Sequence, residues 1–209
     1  MRVMAISGSY RKGGTIETLM EKASEGICQA VPEAEVYFLR LMDKKIEYCK
    51  NCMVCRKDGP EKELARCIID DDMTGIYALM AEADAYILGT PVNIGHVTAV
   101  MKTFLERIVW VMSKPGDTFP VKGCPVPRGS KKRSAIVIVS SGLVPPILRM
   151  FCDMATPLLK DICDSSLNAS VAGTMYAGAV EKKGVEAYFK EAEALGRKLA
   201  QKFRKAKDL

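Results

Sequence analysis

The chain alternates short apolar runs with segments whose apolar residues fall three and four apart. Arg2 to Ser7 is a continuous apolar and β-branched run of the kind a strand buried on both faces shows. From Thr15 to Ala30, apolar residues at Ile16, Leu19, Met20, Ala23 and Ile27 keep helical spacing, so one stripe packs on the strand before it. The alternation continues to the end of the chain. Strands are predicted at Ala34 to Leu41, Asp84 to Thr90, Ser134 to Ser141 and Ala169 to Met175. Helices are predicted at Asp70 to Ala83, Val97 to Val111, Pro146 to Cys163 and Val185 to Lys205. Three aspartates fall in the first turn expected for the helix from Asp70, where the macrodipole favours negative charge. Pro157 is expected to kink the helix that contains it. The last helix carries Val185, Phe189, Ala192, Leu199 and Phe203 on one face, with Glu186/Lys190 and Glu193/Arg197 as i,i+4 pairs outside.

Five strands alternating with helices predict an α/β fold: a doubly wound, parallel five-stranded sheet with right-handed crossovers and helices on both faces, a three-layer sandwich. The flavodoxin-like order 2-1-3-4-5 fits the element count. It places ligands beyond the carboxyl ends of the strands, at the switch between strands one and three. With 209 residues, 48% of them apolar, the chain has material for one substantial core, so residues 1–209 are expected to form a single domain. The exception to the regular rhythm is 42–69, a loop without obvious structure, and loops that long are usually functional.

Three short loops leave the edge where ligands are expected. The first, "SGSYRKGGT", offers hydroxyls at Ser9 and Thr15, cations at Arg11 and Lys12 and glycines including Gly14, just ahead of a helix that begins Thr15-Ile16. Amides at a helix N-terminus with hydroxyl donors and an arginine make a phosphate seat; the bland reading is a glycine-rich turn with a solvated arginine. Neither a dinucleotide fingerprint nor a P-loop is present. The second loop, "GTPVNIGHV", places Pro91, Val92, Asn93, Ile94 and Gly95 where a tight turn with apolar side chains suits a flat flavin ring. Gly and Pro after a strand otherwise mark only a turn. The third loop has Ser140, Ser141 and Gly142, small enough for backbone donors to approach a ligand. With no Ser triad or carboxylate pair beside these loops, and His96 as the single histidine, a bound cofactor rather than a side chain is expected to supply the chemistry. One phosphate seat without a second nucleotide-binding half favours FMN over FAD.

Cysteine placement changes the picture most. Cys49, Cys52, Cys55 and Cys67 fall inside the long loop, four of the chain's eight. The N-terminus "MRVMAISGSY" lacks a signal-peptide core and no apolar run is long enough to span a bilayer, so a cytoplasmic protein without membrane association is expected. In a reducing compartment a tight thiol cluster reads as metal-binding or redox-active. Cys28, Cys124, Cys152 and Cys163 read as small core or surface residues. The net charge of +6 is dispersed, concentrated only at Arg128 to Arg133 and along the last helix; a basic loop and a solvated helix face suffice, and no nucleic-acid partner is expected.

Taken together, "GSYRKGGTIETL", the C-x2-C-x2-C…C pattern followed by "IIDDDM", and "EADAYILGTPVNIGHVTAVMKTFLER" resemble the iron-sulfur flavoproteins of the wider NADPH-dependent FMN reductase group. The resemblance is close over residues 1 to 110 and beyond that extends to element order. It implies FMN phosphate held by Ser9, Arg11, Lys12, Thr15 and neighbouring amides, with the ring against Pro91 to Gly95 and further contacts from the loop at Ser140 to Gly142. It also implies one [4Fe-4S] cluster on Cys49, Cys52, Cys55 and Cys67, and assembly as a homodimer or homotetramer. The chain departs from that pattern at Thr15-Ile16, where relatives often have Asn-Thr, and at Asn93, where they often have an aromatic residue. The gap between Cys55 and Cys67 is also longer than the compact family spacing. Four-cysteine zinc sites and related reductases that keep cysteines without metal are the competing readings for the thiols. The expected function is an electron-transfer flavoenzyme that passes electrons between FMN, a cluster and a partner such as a ferredoxin or NAD(P)H. The alternatives are an NAD(P)H-dependent FMN or quinone reductase without a cluster, and a flavodoxin-like carrier.

Overall fold

Along the chain the elements run β1 (Arg2–Ser7), α1 (Thr15–Ala30), β2 (Glu35–Arg40), α2 (Val54–Lys57), α3 (Met73–Glu82), β3 (Ala85–Pro91), α4 (Ala99–Met112), β4 (Ser113–Pro115), β5 (Pro125–Pro127), β6 (Arg133–Ser140), α5 (Ala155–Ser165), β7 (Ala169–Ala177), α6 (Val180–Lys183) and α7 (Phe189–Lys207). The computed structural model describes residues 1–207; Asp208 and Leu209, the end of the expected domain, lie outside the described residues. Five strands form one sheet of order β2-β1-β3-β6-β7, every neighbouring pair parallel, which is the predicted 2-1-3-4-5 winding. Among the described residues no helix is long and apolar enough to cross a membrane.

Strand alternation decides which side chains meet which helices. In β1, Val3 and Ala5 join the core beneath α1 and α7, while Met4 and Ile6 join the core beneath α3, α4 and α5. In β6, Ile136 and Ile138 face the first core and Ala135, Val137 and Val139 the second. On the first face α1 and α7 cross backbone to backbone at two glycines. A Cβ at Gly26 would strike the carbonyl of Glu193, and one at Gly196 the carbonyl of Ala23. Gly196→Ala is therefore expected to lower stability by about 1–3 kcal/mol through overpacking, despite the roughly 1 kcal/mol alanine gains over glycine in a helix. Urea unfolding with a reduced midpoint and unchanged m-value is the expected reading, and an unmoved midpoint would show that the helices part freely.

Several sequence expectations need correction. The helix predicted from Pro146 to Cys163 is two elements, a 3-10 turn at Pro146–Phe151 and then α5, with 152–154 between them outside either helix. Pro157 does not kink α5, because it stands in the first turn, where the missing N–H has no intrahelical partner to lose. Asp70, Asp71 and Asp72 precede α3 rather than occupying its first turn, because Asp71 and Asp72 accept hydrogen bonds from the Glu47 and Lys45 amides and bend the chain there. Of the two outer pairs expected on the last helix, Glu193–Arg197 forms at 3.6 Å. Glu186 lies in a separate 3-10 turn at Glu186–Tyr188, so helical i,i+4 geometry does not reach it. Loop 42–69 contains α2 and begins with a 3-10 turn at Leu41–Asp43, and the segment before β6 holds an antiparallel ribbon of β4 and β5.

Candidate functional site

A cleft of about 570 Å³ opens at the carboxyl ends of β1, β3 and β6. From the first loop Ser9, Arg11, Gly14, Thr15 and Ile16 line it; from the second, Pro91, Val92 and Asn93; from the third, Ser140, Ser141 and Gly142. Exposed Lys12 and Ile94 and half-buried Gly95 are outside this lining. A groove of about 400 Å³ beside Val3, Tyr37 and Leu79 lies at the amino ends of the strands, away from the loops where such sheets bind ligands.

The first loop is wound around a buried carboxylate that sequence reading passed over. Glu17, 4% exposed, accepts from Ser7 Oγ at 3.2 Å and from the Gly13 amide at 2.7 Å, and forms an ion pair with Arg40. The Glu17 hydrogen bond holds the Arg40 guanidinium above its ordinary pKa. Ser9 Oγ accepts from the Arg11 amide and donates to the Arg11 carbonyl, both at 3.1 Å, so its hydroxyl fixes the loop's shape. No side chain caps α1 at Gly14, and the first intrahelical bond runs from Thr18 N to Gly14 O. The N–H groups of Thr15 and Ile16 thus precede the helical ladder and sit where those residues line the cleft, with Arg11 beside them. An uncapped helix N-terminus next to a guanidinium fits an anionic phosphate.

The second loop is a tight reversal in which the Asn93 and His96 backbones bond each other at 2.8 and 3.0 Å, with Ile94 at φ 49° and Gly95 at φ 75°. A β-branched residue in the left-handed region is a strained choice, and Ile94 is fully exposed there. Val92 N bonds Ser140 O at 2.8 Å, tying this loop to the third. Tyr10, Val180 and Glu181 also line the cleft and were missed. Tyr10 Oη accepts from the Ala99 amide at 3.0 Å and so joins the first loop to the start of α4. Its position beside Arg11 was the available signal. Glu181 had none, because it reaches the cleft only through bonds from the Val180 and Glu181 amides to the Ser141 and Gly142 carbonyls.

Cys49, Cys52, Cys55 and Cys67 line a second, smaller recess together with Glu106, Arg107 and Trp110 of α4. Cys49 and Cys52 are exposed, Cys55 and Cys67 half-buried. Asn51 and Met53, between the first three cysteines, have φ of 49° and 63°, so the C-x2-C-x2-C stretch is held in a left-handed winding unusual for residues with side chains. Burial pushes the Cys55 thiol above its ordinary pKa, and the neighbouring Cys67, Cys49 and Cys52 push the same way. Among the described residues no three His, Cys, Asp or Glu side chains are arranged to hold a metal ion. A single ion needs sulfur donors about 2.3 Å away. A four-iron cube takes one thiolate at each of four corners and holds them further apart. Four soft sulfur donors lining one recess are the donor set such a cluster takes.

Two arginines hold the recess in place. Arg128, from the segment read as a basic loop, is buried and donates to the carbonyls of Ser113 at 2.8 Å, Gly59 at 2.6 Å and Cys55 at 2.9 Å. Arg107 is 3% exposed and makes a bidentate pair with buried Asp71, with a further bond to the Glu47 carbonyl at 2.7 Å. Arg133 donates to the Ala81 and Ala83 carbonyls at 2.9 and 3.0 Å at the end of α3, so much of the basic segment has a structural role.

Residues 1–191 match the family described as NADPH-dependent FMN reductase. Similar curated proteins include an iron-sulfur flavoprotein of Methanocaldococcus jannaschii, 37% identical over 107 residues, or 51% of this chain and 51% of that protein. Another is an iron-sulfur flavoprotein of Methanosarcina thermophila, 33% identical over 114 residues, 54% of this chain and 56% of that one. The chain spans about half the length of the curated relatives it matches. Among solved structures, an azoreductase from Bacillus anthracis superposes with a TM-score of 0.67 at 16% identity, covering 94% of this chain and 99% of that one. An NAD(P)H:quinone oxidoreductase from Methanothermobacter marburgensis gives 0.67 at 16% identity over 95% and 96%. At such identity the likeness is one of fold.

Proposed function

Because the chain belongs to the NADPH-dependent FMN reductase family, we propose that it is an FMN-dependent oxidoreductase of the iron-sulfur flavoprotein kind, with FMN in the cleft and one [4Fe-4S] cluster in the cysteine recess. The observation that carries this reading is the placement of both sites along α4. Tyr10 of the cleft bonds the Ala99 amide at the start of the helix, and Arg107 and Trp110 near its end line the thiol recess. Arg107 lies eight positions after Ala99 on the helix, about 12 Å along the axis.

Bound FMN supplies electron transfer in pairs or singly, and a cluster supplies it singly. The chain's own residues bind and orient. Arg11 and the free amides of α1 take the phosphate, Pro91, Val92 and Asn93 cover the ring, and the small residues Ser140 to Gly142 let the backbone approach it. Cys49, Cys52, Cys55 and Cys67 hold the cluster. Lys50 lines the recess, and Lys44, Lys45 and Lys57 are exposed in the same loop, cations that an acidic one-electron partner such as a ferredoxin would meet. NAD(P)H as a two-electron donor follows from the family. Exposed Leu143, Ile147, Met150, Phe151 and Met154, beside the cleft, form an apolar surface suited to a second copy of the chain. Sedimentation of a species larger than 22.9 kDa is the expected result, and a monomer alone would count against assembly.

Anaerobic purification followed by FMN, iron and sulfide analysis tests the reading. FMN with about four irons and sulfides per chain is expected. FMN without iron leaves a plain NAD(P)H-dependent reductase, and zinc without sulfide overturns the cluster. Arg11→Ala is expected to weaken FMN binding by about 1.5–3 kcal/mol, the range for a hydrogen bond to a charged group. Fluorescence titration reads it, and an unchanged affinity removes Arg11 from the phosphate seat.

A further inference from the structure

We infer that Arg107 is a positioning residue for the fourth thiolate: its guanidinium, clamped by Asp71, fixes Cys67 at the recess and donates a hydrogen bond to the ligating sulfur. This inference rests on the four-cysteine cluster reading and deepens it.

Cys67 is the ligand that sequence spacing leaves furthest from the others, with eleven residues between it and Cys55. Arg107 Nη2 stands 3.6 Å from Cys67 Sγ while the same nitrogen bonds Asp71 Oδ1 at 3.0 Å. Nη1 bonds Asp71 Oδ2 and the Glu47 carbonyl. Asp71 also accepts from the Glu47 and Met73 amides at 2.8 and 3.0 Å. One buried fork therefore joins the chain just before Cys49 to the chain just after Cys67, closing the loop at its base. The side chains of Arg107 and Asp71 are 1% and 0% exposed. Anchoring needs Asp71 and the Glu47 carbonyl; the approach to sulfur is an addition, and hydrogen bonds to ligand sulfurs are among the factors that set cluster potential.

The test compares anaerobically prepared wild-type protein with Arg107→Lys and with the double variant Asp71→Asn/Arg107→Gln. Lysine keeps the charge but cannot span Asp71, Glu47 and Cys67 at once. The double variant leaves no unpaired buried charge, so it stays informative where the lysine variant fails to fold. FMN content serves as the control for an intact fold, and a redox titration followed by EPR reads the cluster. The variant clusters are expected to reduce at a more negative potential than wild type, because a lost hydrogen bond no longer stabilises the electron-rich reduced state, with FMN unaltered. Iron loss equal to that of Cys67→Ser, again with FMN retained, supports the inference equally. Wild-type iron content and cluster potential in the variants overturn it while the cluster reading stands. Iron-free and sulfide-free wild-type protein overturns both.

Discussion

Replacing any one of Cys49, Cys52 or Cys55 by serine is expected to abolish stable cluster incorporation, with acid-labile sulfide and iron falling to background and the visible spectrum reduced to that of flavin alone. A neutral hydroxyl is a poor substitute for a soft thiolate, and three of the four proposed ligands come from one short stretch that contains the left-handed residues Asn51 and Met53. Removing one leaves three thiolates for the four corners of a cube, too few to retain it. FMN should stay bound in each variant, because the cleft and the recess share no lining residue. The matched experiment on Cys67→Ser examines the ligand across the long gap: a protein that retained four irons and an unaltered spectrum would assign the fourth corner to another group.

Asp71→Ala is expected to destabilise the protein by about 3–5 kcal/mol, the range for breaking a buried ion pair by removing one partner. The guanidinium of Arg107 would remain buried without its counter-charge, and the Glu47 and Met73 amides would lose their acceptor at the same time. Denaturant unfolding followed by the fluorescence of Trp110, the single tryptophan and a wall of the cysteine recess, reads both global stability and the state of that recess. A loss near zero would show that water reaches Arg107 and that the pair is dispensable. The same pair gives a pH dependence. Burial pushes Asp71 up, but hydrogen bonds from Arg107 and from the Glu47 and Met73 amides outweigh it and leave the carboxyl below its ordinary value of 3.8. A carboxylate depressed in the folded state contributes stability that is complete above that ordinary value and is lost as pH falls through the folded one. Acid unfolding of wild type below the ordinary carboxylate range, absent as a separate step in Asp71→Asn, is the expected pattern.

Residues that act through near neighbours in the chain were legible before any coordinates. The strand at Arg2–Ser7 and the helix at Thr15–Ala30 have the bounds that apolar period alone assigned, because each buries a face whose repeat is written in consecutive residues. The parallel sheet followed from alternation, and the flavodoxin-like order that fitted the element count is the order found. The first cleft loop and the C-x2-C-x2-C stretch stood out as candidates because each packs its chemistry-bearing residues into a few contiguous positions. Tertiary structure alone decided how those sites are held. Asp71 reads locally as a helix-start charge, yet it pairs with Arg107, 36 residues away; Arg128 reads as part of a basic loop, yet it bonds the Cys55 carbonyl, 73 residues away. Glu17 drew no reading from the sequence, yet Arg40, the Ser7 hydroxyl and the Gly13 amide converge on it. A buried charge is stable only beside a partner and its remaining hydrogen-bond donors. Sequence period records which face of an element is apolar and carries no record of which distant element brings the counter-charge, so those roles become readable only when the sheet has placed β2, α3, α4 and the cysteine loop side by side.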